Sequence, residues 1–358
     1  MFQDKKVFIT GATGFIGGRI AERLWIDYKI RSKCLIHNFN NAARLSRLPV
    51  LMCNGDVLNK KGLNEFIQKD DIVFHCAYGN TSDRDLNKRI NEEGTENICD
   101  ISFRKGVRRL IFLSSVAVYG NNPPYIVTEE TPVKFSNDEY GNSKIIAERI
   151  CMDYYKKGLP ITIIRPTIVF GPFSPIWTIG VIKRIRLGGW DRVKGIDGLC
   201  NPVYIDDLVE ALFLCIEKAQ SAGETFIISG DCAIPWNEYY ETYYKMIGIL
   251  PPSIISPKIR KVKSLLNKII QFHINFLRKY FENQMVDAYL FLEERYPLFI
   301  NKFNRLFRGG IKDNEIDFFS QKVIYSCNKA KEMLGYQPRH FEEGIRITEK
   351  WLIHHEYI

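Results

Sequence analysis

No two of the nine cysteines form a Cys-x-x-Cys pair, their number is odd, and several, such as Cys34 and Cys76, sit in apolar runs. That distribution speaks against a disulfide framework and a thiolate metal site, and points to reduced thiols in the cytoplasm. Histidine is scarce: the six present show no metal-ligand spacing, and His354-His355 reads as a solvated terminus, so no metal is expected. No apolar run reaches the length of a membrane-spanning helix, which leaves only peripheral contact with a bilayer. The first apolar strand begins within a few residues of Met1, leaving no room for a secretory signal. Repeats and low-complexity tracts are also missing. With 46% hydrophobic and 25% charged residues, the chain is expected to bury a proper core.

Acid is under-represented in one place. The net charge is +9, and residues 256–311 alone hold eleven Lys/Arg against four Asp/Glu, a difference of +7. The excess is therefore one local surface, and with no nucleic-acid motif present, no nucleic-acid partner is expected.

What is present is an ordered alternation. Apolar runs at Lys6–Thr10, Lys33–His37, Val50–Cys53, Asp71–Cys76, Arg109–Ser114 and Ile161–Arg165 alternate with helical patterns. This predicts an α/β fold with a Rossmann-type doubly wound parallel sheet, which a further run, Thr225–Ser229, joins late. Gly171-Pro172-Phe173-Ser174-Pro175 breaks the regularity, and marks a crossing into a smaller, discontinuous α/β substrate-binding lobe. The expected boundaries are 1–170 and 203–230 for the dinucleotide-binding domain, and 171–202 and 231–358 for the lobe, with a basic amphipathic helical insert at about 256–311. In that insert Ile259, Val262, Leu266, Ile269, Ile270, Leu277, Tyr280 and Phe281 recur near helical spacing among Arg260, Lys261, Lys263 and Lys268. Packing of the stripe on the lobe, with its charges in water, is the first expectation. Peripheral attachment to an anionic membrane through the same segment is the second, and a partner protein the third.

The first strand runs directly into Gly11, Gly14 and Gly17 and then into a helical pattern, an arrangement that brings helix N-terminal amides against a pyrophosphate. Downstream, Tyr140 and Lys144 stand four apart in a helical stretch, so both rise from one face. Alone, that spacing is an ordinary amphipathic helix with a surface lysine. Beside Ser115, which follows the apolar run Leu110–Leu113, it reads as a proton-handling site in which the ammonium lowers the phenol pKa.

These motifs, together with Gly55-Asp56, Phe74–Ala77, Asn91–Thr95, Arg165-Pro166-Thr167 and Val203–Leu208, resemble in order those of the extended short-chain dehydrogenase/reductases, often labelled NAD-dependent epimerase/dehydratases. The resemblance spans nearly the whole chain except about 255–310. It implies that Ser115, Tyr140 and Lys144 catalyse, and that the cofactor meets Gly11, Gly14, Phe15, Ile16, Gly17, His37, Asp56, Val57, Ala77, Tyr78, Tyr140, Lys144 and Pro166. Departures narrow the chemistry. Val116 and Ala117 stand where 4,6-dehydratases carry an acid pair, which disfavours dehydration and leaves epimerases and carbonyl reductases. Ile168 and Cys200 replace the Asn and Arg that help grip a nucleotide diphosphate, with Arg184, Arg186 or Arg192 as candidate substitutes. The second strand ends on His37-Asn38 without an acid, and Arg44 and Arg47 follow, so the cofactor expectation is NAD(P)(H), leaning to NADP.

The expected function is nicotinamide-linked hydride transfer at a secondary alcohol or ketone carbon of a nucleotide-linked sugar, of epimerase or 4-ketoreductase type, in surface-polysaccharide biosynthesis. A hydroxysteroid- or flavonoid-type dehydrogenase on an apolar substrate is the alternative, and a non-catalytic cofactor sensor a third. The partner is a small molecule and the candidate assembly a homodimer. The location is the cytoplasm, with peripheral contact at the inner face of the membrane in view.

Overall fold

The computed structural model describes residues 5–269, Arg295 and residues 310–358. Two compact units are present. The first comprises Met1–Phe173, Asn201–Ala233 and Val323–Thr348, the second Ser174–Cys200, Ile234–Lys322 and Glu349–Ile358.

The first unit is built on seven parallel strands: β1 (Val7–Thr10), β2 (Lys33–Ile36), β3 (Leu51–Asn54), β4 (Ile72–His75), β5 (Arg109–Leu113), β6 (Ile161–Pro166) and β7 (Thr225–Ile228). Their order is β7-β6-β5-β4-β1-β2-β3, with Thr225–Ile228 at the edge against β6. β1, β4, β5 and β6 are buried along their whole length, as expected of strands covered by helices on both faces. The expected doubly wound sheet is therefore present. Its direction of winding reverses between β1 and β4, so the crevice at their carboxyl ends is the switch point where ligands of such sheets bind.

One face is covered by α2 (Lys60–Phe66), α4 (Glu93–Lys105) and α5 (Glu139–Lys156), which bury Leu63, Ile98, Ile101, Ala147 and Cys151 with Phe8, Val73, Leu110 and Phe112 of the strands, and α3 (Arg84–Asn91) lies against α4 and α5. On the other face, α1 (Phe15–Tyr28) and α7 (Ile205–Glu217) bury Ile20, Leu24, Leu212 and Phe213. The Phe213 ring meets Tyr28 and Phe74 edge-on at 5.8 and 6.2 Å. Each such aromatic or leucine contributes about 1.5–3 kcal/mol by leaving water.

The sequence reading kept 231–358 together, but Val323–Thr348 belongs to the first unit. Ile324–Tyr325 pairs in parallel with Ile126–Val127, and Arg339 donates to Asp207 through its backbone N at 3.1 Å and its Nε at 2.7 Å. A two-residue strand and a salt bridge across 132 residues leave no periodic trace in the sequence.

In the second unit, α6 (Gly180–Arg186) and α8 (Trp236–Met246) surround an aromatic interior. Trp190 stacks on Tyr240 at 3.7 Å, and Trp236 meets Phe319 edge-on at 5.0 Å. Residues 257–269 are helical, as the insert reading expected. Their orientation reverses the packing expectation: Arg260 is buried, whereas Ile259, Val262, Leu266 and Ile269 are exposed. The polar side is held by carboxylates: Arg260 pairs with the half-exposed Asp313 and Lys263 with the buried Asp191, while Lys268 meets Asp313 at the surface. Ile270, Leu277, Tyr280 and Phe281 lie outside the described residues.

Candidate active site

The residues expected to hold the cofactor and to catalyse all fall in the first unit. β1 ends at Thr10, and Gly11 turns the chain with φ +66°. A Cβ on Gly17 would lie 2.4 Å from the Gly11 carbonyl oxygen, so only glycine lets the start of α1 approach the strand end this closely. The N-cap of α1 is Gly14, which offers no capping side chain, and the first turn holds no acid. Uncapped amides at the head of a 14-residue helix, with Phe15 and Ile16 among them, suit a diphosphate. The described residues thus fit a dinucleotide at this turn.

Beneath the turn runs a hydrogen-bond chain that the sequence alone did not disclose. The Ala77 N–H donates to Thr10 Oγ1 at 3.2 Å, and Thr10 Oγ1 meets His75 Nδ1 at 2.7 Å. His75 Nε2 meets Thr95 Oγ1 at 3.1 Å, and Thr95 donates to the Asn91 carbonyl at 2.6 Å. Because the Thr95 proton is already committed, Nε2 must carry the His75 proton and Nδ1 must accept from Thr10. Burial and the Lys144 ammonium lower the His75 pKa to about 3, so the ring is neutral and this chain has one direction. It anchors Ala77 beside β1. Asn91 further accepts from the Gly79 N–H at 2.8 Å, holding the backbone on the far side of Tyr78.

Where the adenosine is expected, the Asp56 carboxylate lies 3.0 Å from His37 Nδ1 and accepts from the Leu58 N–H at 2.8 Å. An acid does stand beside the end of β2, supplied from beyond β3. Val57 is buried under α4, with its carbonyl bonded to Asn97 at 3.0 Å. Arg44 is bound in two-pronged fashion to Glu22 at 2.7 and 2.7 Å, donates to the Phe15 carbonyl at 3.2 Å, and lies 4.1 Å from the Phe173 ring centroid. Its guanidinium is thereby occupied on both edges.

Ser115 follows β5 and caps the short turn Val116–Tyr119, accepting from the Ala117 N–H at 3.2 Å. Tyr140 lies in the first turn of α5, where the Asp138 carboxylate accepts from the N–H groups of Tyr140 and Gly141, each at 3.1 Å. Asp138 directly before a helical pattern is a capping signal visible in the sequence. A Cβ on Gly141 would meet the Ala117 carbonyl oxygen at 2.5 Å, and that close approach lets Tyr140 hydrogen-bond Ser115. The Tyr78 ring stands edge-on to Tyr140 at 4.8 Å. Lys144 is buried one helical turn along, donates to the Leu113 carbonyl at 2.8 Å, and lies 5.3 Å from the Tyr78 ring and 5.1 Å from that of Phe112.

The electrostatics differ from the sequence expectation. Burial raises the Tyr140 pKa above the ordinary phenol value, and the Ser115 hydrogen bond only partly opposes it. Lys144 does not offset this, because its Nζ is turned to Leu113 and stands 6.0 Å from the Tyr140 ring centroid. Burial also pulls the Lys144 pKa down to about 8. Pro166 ends β6, fully buried and paired with Ile228.

Behind the site, Glu148 accepts from Ser114 Oγ at 2.5 Å and from Arg165 at 2.9 and 2.6 Å, while Arg165 donates to the Tyr119 hydroxyl at 2.7 Å. All four side chains are buried, and the network ties β5, α5 and β6 together at their site ends.

In the second unit, Arg184 is engaged by Glu315 at 2.9 and 2.7 Å, Arg192 by Glu241 at 3.1 Å, and Arg186 by the Tyr357 carbonyl. Cys200 is buried, its thiol pushed well above the usual value and therefore neutral.

The chain is 30% identical to a 2-alkyl-3-oxoalkanoate reductase from Shewanella oneidensis over 63% of its length, an alignment that spans 61% of that relative. It is 29% identical to a UDP-glucose 4-epimerase from Vibrio cholerae, covering 63% of this chain and 70% of the other. Its fold matches that of the UDP-glucose 4-epimerase of Thermotoga maritima with a TM-score of 0.71, at 18% identity, over 98% of this chain and 99% of the other. The sequence pattern of the NAD dependent epimerase/dehydratase family matches residues 7–229, the stretch that holds the glycine turn, Ser115, Tyr140 and Lys144, and the chain belongs to that family.

Proposed function

We propose that the chain is an enzyme of nicotinamide-linked hydride transfer at a secondary alcohol or ketone carbon of a nucleotide-linked sugar, of epimerase or 4-ketoreductase type. The observation that carries this is the convergence of Ser115, Tyr140 and Lys144 at the carboxyl ends of the strands, in the same unit as the uncapped glycine turn. The nicotinamide, when bound, supplies or accepts the hydride. Ser115 holds the substrate oxygen, and Tyr140 gives or takes its proton. The raised phenol pKa suits Tyr140 to proton donation in the reductive direction. Lys144, buried one helical turn along α5, would hold the ribose hydroxyls of the bound cofactor. The epimerase relative supports the sugar substrate.

The cofactor reading moves to NAD(H). Arg44 is held by Glu22, and Asp56 places a carboxylate beside the end of β2, where it favours ribose hydroxyls and repels a 2′-phosphate. That none of the nine cysteines is in a disulfide supports a reducing, cytoplasmic location.

A second reading, a hydroxysteroid- or flavonoid-type dehydrogenase on an apolar substrate, is favoured by one specific observation. Arg184, Arg186 and Arg192 each pair with a group in their own unit, which leaves fewer of their donors for a diphosphate. The oxoalkanoate reductase relative agrees with it. Incubating the protein with UDP- and dTDP-sugars, or with steroid and alkyl ketones, and with NADH or NADPH, separates the readings. Cofactor absorbance and product NMR are followed. Turnover of a nucleotide sugar upholds the first reading, turnover of apolar ketones alone the second, and turnover of none overturns both.

A further inference from the structure

The 257–269 helix of the second unit is amphipathic with its polar side inward. Arg260, 5% exposed, donates to the Ile311 carbonyl at 3.3 Å and to Asp313 at 2.8 Å. Lys263 reaches Asp191 at 3.1 Å and Lys268 reaches Asp313 at 3.1 Å. On the opposite side Ile259, Val262, Leu265, Leu266 and Ile269 are between 45% and 60% exposed, and Lys258 and Lys261 are exposed beside them. At 100° per residue, Lys258, Val262, Leu265 and Ile269 fall within one narrow stripe, which Lys261 flanks on one side and Ile259 and Leu266 on the other. The ion pairs to Asp191 and Asp313 fix the roll of the helix, so the apolar stripe cannot turn inward without leaving buried carboxylate and guanidinium groups unpaired.

We propose that this face docks on an anionic phospholipid surface. Three observations select that occupant. The helix carries five Lys/Arg and no acid, and residues 256–311 as a whole carry +7, from eleven basic and four acidic residues, which complements negative headgroups. An apolar stripe edged by lysines is the pattern of a helix lying in the plane of a bilayer interface, with aliphatic side chains in the acyl boundary and ammonium groups at phosphate level. The stripe is also small. Five half-exposed aliphatic side chains present on the order of 400 Å², about half of what each partner of a standard protein interface buries. The assignment is independent of either substrate reading, because it rests on the second unit alone.

The test is co-sedimentation of the full chain with phosphatidylglycerol-rich vesicles and with pure phosphatidylcholine vesicles, at low and high salt. Thermal melting and light-scattering mass are measured alongside. The wild-type protein is expected to partition at least tenfold more strongly to the anionic vesicles, and to release as salt rises. The double variant Val262→Glu/Leu265→Glu is expected to lose at least tenfold in partitioning with its melting temperature unchanged, because both side chains already face out. Lys258→Gln/Lys261→Gln is expected to lose about thirtyfold at low salt. No difference between the vesicle types overturns the proposal. So does equal partitioning of the glutamate variant. A lowered melting temperature in that variant would mean that the chain covers the face itself. A dimer that the variant splits would mean that a second copy does. Either result overturns the proposal as well.

Discussion

Tyr140 is held between opposing influences, burial raising its pKa and the Ser115 hydrogen bond lowering it, with burial the stronger. Its role is proton transfer, so Tyr140→Phe is expected to reduce kcat by about 10²–10⁴ while leaving cofactor affinity intact. Steady-state rates and a fluorescence titration with NADH measure the two; wild-type turnover in the variant would remove Tyr140 from the chemistry. His75 makes a second prediction at this scale. Its folded pKa is about 3, whereas the unfolded ring titrates near 6.5, so between those values the unfolded chain binds more protons. Stability contributed by the neutral ring is therefore complete above about pH 6.5 and falls as pH drops toward 3, by up to roughly 1.4 kcal/mol per pH unit. Urea midpoints of wild type and His75→Gln across that range check this. Parallel slopes in the two proteins would show that His75 is protonated when folded.

At the scale of elements, the contact between α5 and the Val116–Tyr119 turn sets the site. Gly141 allows it, since a Cβ there would meet the Ala117 carbonyl at 2.5 Å. Helix propensity alone makes Gly→Ala favourable by about 1 kcal/mol. At Gly141 the overlap opposes this with about 1–3 kcal/mol, so Gly141→Ala is expected to leave stability level or lower and to reduce kcat by separating Tyr140 from Ser115. Gly62 in α2 is the control, because its Cβ would have no neighbour nearer than 3.5 Å, so Gly62→Ala should stabilise. Denaturant melts and kcat values for both variants decide. If Gly141→Ala is as stabilising and as active as Gly62→Ala, α5 does not depend on that approach. The helical spacing of Tyr140 and Lys144 was legible because a 3.6-residue period is a local property. The height of α5 above the turn was not, because it depends on a backbone oxygen 24 positions earlier.

For the molecule as a whole, no cysteine is in a disulfide, and of the nine Cys232 alone is exposed. Titration with a thiol reagent is expected to find one fast group in the native protein and all nine in guanidinium. Fewer than nine after denaturation without reductant would reveal a disulfide and end the reading of a reduced protein. The parallel sheet, its strand boundaries to within a residue or so, the glycine turn and the one-turn spacing of Tyr140 and Lys144 were all readable in the chain. Each rests on short-range pattern: apolar runs of strand length, glycines three apart, side chains one helical turn apart. What folding alone decided is which charge meets which. Glu22 rather than a phosphate holds Arg44, Asp56 stands by His37, and Arg339 reaches back to Asp207 to draw Val323–Thr348 into the first unit. Most decisively, Asp191 and Asp313 turn the 257–269 helix with its apolar side outward. Amphipathic periodicity states that a helix has two faces; only the carboxylates brought beneath it determine which of them faces inward.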